Sequence, residues 1–429
     1  MEKGVLLQQY CKQAMQQFRE NPLVTALSVA GTALAVAVIL VMVLVFQINL
    51  AGFAPESHRD RFLYVFGTEA SSRSGGERNR GYMSAEVLKE CFYPMKTPEA
   101  VCGYALDNRS VSLPEKRLSR EYAFRWTDAG YWQIFDHTFV EGAPFTQADF
   151  EAGIRTVVLS EETARKLFDN ESAVGREVVI EFKSYRVCGV VKEVPNPLMV
   201  SYGQVFAPYT CNANLIAPST YGENIPGQFS ACMLARSSAD FEAIRQELQG
   251  QVERYNKGKR DTDLSFPAGA VTQLDTAMGS NNFYKVDWKN YLVDKGLFLL
   301  FLLVIPALNL IGVIQSSLQK RIEEIGMRRA FGATRWDIVN QVLSENMVMT
   351  LIGSVIGIVL SIGLLFVAKS FLFNAEVRLT VPMLIRPGLF FAAFVLAFLL
   401  NLLSAMIPAW HTMRQPIVDA IHGSESEKK

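Results

Sequence analysis

The side chains that most often do chemistry are sparse in this sequence. Its 429 residues include four histidines, His58, His137, His411 and His422, and none stands in an H-E-x-x-H pair that would present two imidazoles to a metal from one helix face. No G-x-S-x-G elbow offers a strained serine nucleophile. Acidic residues are plentiful, but sequence alone pairs no two of them across a cleft. A G-x-x-x-x-G-K-[ST] loop is also missing, so the chain has no such cradle for nucleotide phosphates. The expectation is a chain with no catalytic residue, no metal ligand and no cofactor of its own.

The most pointed spacing lies in "EEIGMRRAFGATRWDIVNQ", residues 323–341. Glu324 and Arg328 stand at i and i+4 with the acid first, the favourable order for a helical surface pair. Gly332 is placed to end that helix, since glycine accepts the left-handed conformation of a C-terminal cap. Thr334 and Asp337, three residues apart, are then placed to cap the next helix reciprocally, less strongly than a glutamate would. Trp336 suits the headgroup level at the start of a membrane span. The segment reads as a short helix, a tight turn and a capped restart; the plainer alternative is basic anchoring alone.

The elements on either side are apolar. Four stretches, 23–48, 297–318, 346–368 and 388–410, carry no charge, and each exceeds the roughly 20 residues needed to cross a hydrocarbon core. They are expected to be four transmembrane helices, the third beginning at 338. The first is too long for the apolar region of a cleaved signal and reads as an uncleaved anchor. The leader 1–22 reads either as a cytoplasmic interfacial helix with Val5, Leu6, Tyr10, Ala14 and Phe18 on one face, or as a polar leader. Basic residues cluster in the leader, in the 319–337 connection (Lys320, Arg321, Arg328, Arg329 and Arg335) and in the tail 411–429. By the positive-inside bias, both termini and that connection are cytoplasmic, and the short loop 369–387 is external.

Residues 49–296 then form one large extracytoplasmic domain between the first and second spans. Within it, "TVVLS" (156–160) reads as a buried strand, Ser160 as the cap of a following helix, and "REVVIEF" and "YRVCGVV" as two further strands. An amphipathic helix is expected over 239–255, with Phe241, Ile244, Leu248 and Val252 on one face. "SSRSGGERNRG" (71–81) reads as a loop. The fold class is therefore an α-helical membrane protein with four transmembrane helices and one α+β external domain inserted between the first and second. Of the six cysteines, five fall in this domain, and the sequence does not choose a disulfide among them. With 42 basic and 42 acidic residues, no basic excess points to nucleic acid.

Three features inside the spans stand out. Glu345 lies about 13 Å along the helix from Trp336, and it either faces protein within the membrane or sits at the interface. Gly353 and Gly357 form a small-xxx-small face that lets helices approach closely, with a dimer contact as one outcome. Pro306 and Asn309 are placed to bend the second span.

The run "LNLIGVIQSSLQKRIEEIGMRRAFGATRWDIVNQVLSENMVMTLIGSVIGIVLS" resembles the signature region of the MacB/FtsX family of ABC-transporter permeases. The tail "IPAWHTMRQPIVDAIH" is similar to that family's ending, and "FVEGAPFTQADF" with the 156–194 segment is similar to its external core domain. The resemblance runs from about residue 139 onward; residues 49–138 and 195–280 match diffusely. It implies that Glu324, Ile325, Gly326, Arg328, Arg329, Ala330, Gly332 and Ala333 form a coupling helix that docks on an ATP-hydrolysing subunit. Because no phosphate loop occurs here, that ATPase, which would bind the ATP, is expected to be a separate polypeptide. The MacB branch fuses the two, so its substrate is not carried over.

The expected partners are an ABC ATPase, a second permease copy in a homodimer or a related permease in a heterodimer, and a periplasmic adaptor or substrate protein, all at the inner membrane. The leading function is an export or extraction permease for a hydrophobic or amphiphilic substrate or a lipoprotein. The alternatives are a non-transporting mechanotransmitter that regulates an external cell-wall hydrolase, and a passive receptor.

Overall fold

In the computed structural model, residues 22–293 are described except positions 77, 116–118, 170, 196–197, 219–220 and 281–282. Residues 331–372 and scattered positions within 295–327 and 388–406 are described as well. The leader, most of 297–330, the loop beyond Leu372, most of 388–410 and the tail lie outside the described residues. The chain divides into two compact units, Gln47–Trp288 and a second formed by Met1–Phe46 with Lys289–Lys429. The first unit ends at Trp288, and the chain is helical over 288–293.

Two long helices dominate the described part of the second unit. The first, Pro22–Leu50, opens on a proline, whose fixed φ and missing N–H suit the first helical position. The other, Arg335–Leu372, has 38 residues and spans about 57 Å at 1.5 Å per residue. Both are long and apolar enough to cross a membrane, with mean hydropathies of 2.9 over Thr25–Leu50 and 2.5 over Met347–Val367. Apolar side chains also line the outer side of the second helix, where Val355, Val359 and Val367 are more than half exposed. A soluble helix would place polar groups there.

The Gln47–Trp288 unit is built on one twisted sheet. Its strands are β1 (Phe62–Val65), β2 (Thr68–Ser72), β3 (Arg78–Met83), β4 (Ala100–Ser112), β5 (Arg120–Thr127), β6 (Phe139–Gly142) and β7 (Thr156–Ser160). They continue with β8 (Glu177–Ile180), β9 (Lys183–Val191), β10 (Val205–Pro208), β11 (Pro226–Gly227), β12 (Phe229–Leu234), β13 (Thr262–Ser265) and β14 (Val271–Thr272). The main path runs β13-β2-β3-β12-β4-β5-β10-β7-β9-β6, with β1 between β12 and β14. All pairs are antiparallel except β5 with β10 and β7 with β9.

Period-two alternation sends side chains to two cores on opposite faces. In β1, Leu63 and Val65 enter one core and Phe62 and Tyr64 the other; in β12, Phe229, Ala231 and Met233 oppose Cys232 and Leu234. The first core is covered by helix Glu161–Phe168, through Ala164, Leu167 and Phe168, and by helix Phe241–Lys257, through Ile244, Leu248 and Tyr255. Ser160 caps the shorter helix by accepting from the Thr163 N–H.

Residues 71–81 differ from the sequence reading. Instead of a loop, they complete the β2–β3 hairpin, whose turn uses Gly75 at φ 89° and Gly76 at φ 105°. Tertiary pairing overrides the turn-rich composition. Strand β13 adds to β2, and Arg73 bonds Asp263 at 2.7 Å while Arg80 bonds Glu69 at 2.5 Å.

Candidate functional site

The described end of the 323–341 segment is a joint. Phe331 N–H donates to the Met327 carbonyl at 3.0 Å, the i to i−4 bond of a helical turn. Gly332 then takes φ 99°, a conformation open to glycine and strained for other residues. Immediately beyond, the Asp337 carboxylate accepts from the Thr334 N–H at 2.8 Å and its hydroxyl at 2.6 Å, and the Asp337 N–H donates to Thr334 Oγ1 at 3.3 Å. The Thr334 hydrogen bonds hold Asp337 below the usual carboxylate range. The joint presents apolar surface, with Phe331 91% and Trp336 62% exposed. Glu324, Ile325, Gly326, Arg328, Arg329 and Ala330 lie outside the described residues, and Ala333 is half-buried in the turn.

Along the helix that follows, Glu345 is helical in backbone. Gly353 and Gly357 pack on the chain's own first helix. A Cβ at Gly353 would stand 2.8 Å from the Thr32 side chain, and one at Gly357 would stand 2.7 Å from the Ala33 carbonyl oxygen. Val36, Ile39 and Leu40 with Ile358, and Val29 with Met349, extend the contact. The small-residue face that left room for a dimer contact is thus filled from within. Spacing reveals that such a face exists but not which helix covers it.

A second arrangement, missed in the sequence, lies in the Gln47–Trp288 unit where the first helix ends. Arg59 and Glu56 form an ion pair at 2.6 Å with side chains 2% and 1% exposed. The Arg59 guanidinium also donates to the carbonyls of Ile48, Asn49 and Ala51 at 3.0, 3.2 and 3.2 Å. A helix leaves its last carbonyls unpaired and partly negative, so a cation there satisfies both bonding and charge. Glu56 is fixed in turn by the Ser201 N–H at 2.9 Å. The Gln273 amide adds a bond to the Asn49 carbonyl at 2.5 Å. "PESHR" gives no sign of this, because nothing local separates a buried E-x-x-R pair from a solvated one.

Deeper in the same unit, Asp128 joins three segments. Its carboxylate accepts from the Tyr93 hydroxyl and the Gly103 N–H, both at 2.7 Å, and from the Tyr131 N–H at 3.1 Å. Burial outweighs these bonds and pushes its pKa up to about 6. Burial likewise pushes His137 down to about 3, so its imidazole stays neutral at physiological pH. Tyr93 also bonds Tyr209 at 2.8 Å, which makes the cluster a brace between strands.

Residues 25–251 match the family model for the MacB-like periplasmic core domain, and residues 296–417 match that for the FtsX-like permease C-terminal region. The chain belongs to the MacB/FtsX-like permease family. It is 27% identical over 268 residues to the uncharacterized ABC transporter permease YknZ of Bacillus subtilis (strain 168), covering 59% of this chain and 61% of that protein. It is 26% identical over 293 residues to the macrolide export ATP-binding/permease protein MacB 1 of Yersinia pestis bv. Antiqua (strain Antiqua), covering 68% of this chain and 42% of that protein. The chain therefore spans less than two thirds of the length of these relatives. The solved extracellular domain of YknZ from Gram-positive bacteria aligns with a TM-score of 0.33 at 16% identity, covering 46% of this chain and 99% of that one.

Proposed function

We propose that this chain is the membrane subunit that converts ATP hydrolysis in a separate ABC ATPase into movement of its external domain, in order to export or extract a hydrophobic or amphiphilic substrate or a lipoprotein. The observation that carries the reading is the joint at Gly332–Asp337. A helical turn with an exposed apolar tip stops at a left-handed glycine and restarts, capped, as a 38-residue helix. Such a connection transmits displacement; a flexible tether would absorb it. The exposed Phe331 supplies contact area for a partner, and Arg328 and Arg329 supply charge.

In this reading the chain is a non-catalytic inner-membrane subunit, ATP is bound by the partner, and four spans flank the joint with both termini cytoplasmic. A second permease completes the assembly, and an adaptor or substrate protein meets the external domain. The test is copurification. Charge reversal at Arg328 and Arg329, or Phe331→Glu, is expected to release the ATPase while leaving the chain folded; unchanged association would remove the coupling assignment. Substrate retention in a deletion strain supports export. A wall or division defect without retention would instead favour regulation of a hydrolase.

A further inference from the structure

Two of the cysteines among which the sequence does not choose stand directly opposite each other in the sheet. Strands β4 and β12 run antiparallel in a register that pairs Cys102 with Cys232. Directly opposed residues of such a pair have Cα atoms about 4.5–5.5 Å apart, inside the roughly 4.4–6.8 Å that a disulfide spans. Both side chains enter the core that holds Phe62 and Tyr64, where each is 0% exposed. Among the described residues, no other strand register opposes two cysteines. Cys188 and Cys211 turn their thiols to separate carbonyls, those of Val157 at 3.3 Å and Ile154 at 3.2 Å, and Cys91 lies in the other core. All five are free thiols in this structure.

We propose that Cys102 and Cys232 are a disulfide site, oxidised as the domain folds by a disulfide-bearing thiol oxidase of the compartment outside the membrane.

The exchange balances without a further reactant. One thiolate of the pair attacks the oxidase disulfide, forming a mixed disulfide and expelling one oxidase thiolate; the other then attacks the mixed disulfide and expels the second. The two thiol protons pass to the oxidase thiolates, so the chain loses two electrons and the oxidase gains them. Burial sets the timing. An oxidase cannot reach thiols with no exposed surface, and burial holds the Cys102 thiol well above its ordinary range, so a thiolate is available only before β4 and β12 close into the sheet. The bond would then close a loop of roughly 130 residues, long enough to restrict the unfolded chain strongly. Strand β12 also pairs with β1, the first strand after the Glu56–Arg59 clamp, so the crosslink would secure the part of the sheet nearest the held helix end.

This inference rests on the external placement of residues 49–296, since a cytoplasmic domain would be kept reduced. The test maps thiols on the full chain in its own membrane. Cells are quenched with acid, the chain is dissolved in denaturant and alkylated with N-ethylmaleimide without reductant, and its peptides are analysed by mass spectrometry. A linked pair of peptides carrying Cys102 and Cys232 is expected, with alkylation at those positions at least about tenfold below that at Cys91. Reductant is expected to release both peptides, and Cys102→Ala to leave Cys232 free for alkylation. Full alkylation of both cysteines in the unaltered chain, or a bridge to a different cysteine, would overturn the proposal. A separate Ser74→Cys chain, altered in the exposed β2–β3 turn, reports placement through a membrane-impermeant maleimide applied to spheroplasts. Labelling there with Cys102 and Cys232 still free removes this inference alone. Labelling only after permeabilisation, with both thiols free, removes the external placement and this inference with it.

Discussion

Arg59 is 3% exposed and spends its guanidinium on one carboxylate and three helix-end carbonyls. Removing it strands both the Glu56 charge and those carbonyls, so Arg59→Met is expected to cost about 3–5 kcal/mol. Denaturant unfolding of the full chain would measure this. The double variant Glu56→Met/Arg59→Met, which leaves no buried charge, should cost less than the single one. Asp128 gives a pH signature. Its folded pKa of about 6 stands above the ordinary 3.8, so the folded state binds the proton more tightly than the unfolded state does. Its contribution to stability is therefore fullest below about 3.8 and declines as pH rises through about 6. Unfolding midpoints measured across pH 4–7 should lose this downward component in Asp128→Asn. A variant that keeps the same slope would assign it to other groups.

At the scale of elements, the contact between helices Pro22–Leu50 and Arg335–Leu372 depends on two glycines. Gly357 is the stricter, because its Cβ would meet the Ala33 backbone carbonyl, which has no rotamer with which to move away. Gly357→Leu is expected to separate the helices and lower the thermal midpoint of the detergent-solubilised chain by several degrees. Gly363→Leu, where nothing among the described residues lies within 4 Å, should leave it within about a degree, since surface changes are worth roughly 0.5 kcal/mol or less. Equal effects would show that the contact does not depend on close approach. At the joint, Thr334→Ala removes the helix cap and should cost about 1 kcal/mol, and Thr334→Ser should restore most of it.

At the scale of the whole molecule, the clamp and the joint sit on different helices and in different units of the chain. If the joint is where motion enters, an ATPase partner made unable to hydrolyse ATP should still copurify with the chain while export stops. A passive receptor would keep its function in that background. Complementation of a deletion strain, scored alongside copurification, separates these outcomes.

Much of this protein is local in origin and therefore readable in order. Charge-free stretches longer than a bilayer, the glycine stop with its Thr-x-x-Asp restart, and the strand, capped helix and two strands of 156–191 follow from hydropathy and backbone preference acting over a few residues. So does the resemblance carried by "EEIGMRRAFGA". The tertiary structure decided what distance along the chain conceals. It showed 71–81 closing a hairpin through the local β2–β3 ladder, with β13, nearly 200 residues away, added on the open edge of β2. It assigned the Gly353–Gly357 face to the first helix and buried Glu56 with Arg59 under that helix's end. Each of these depends on which surfaces meet, and long-range burial has no signature in local spacing.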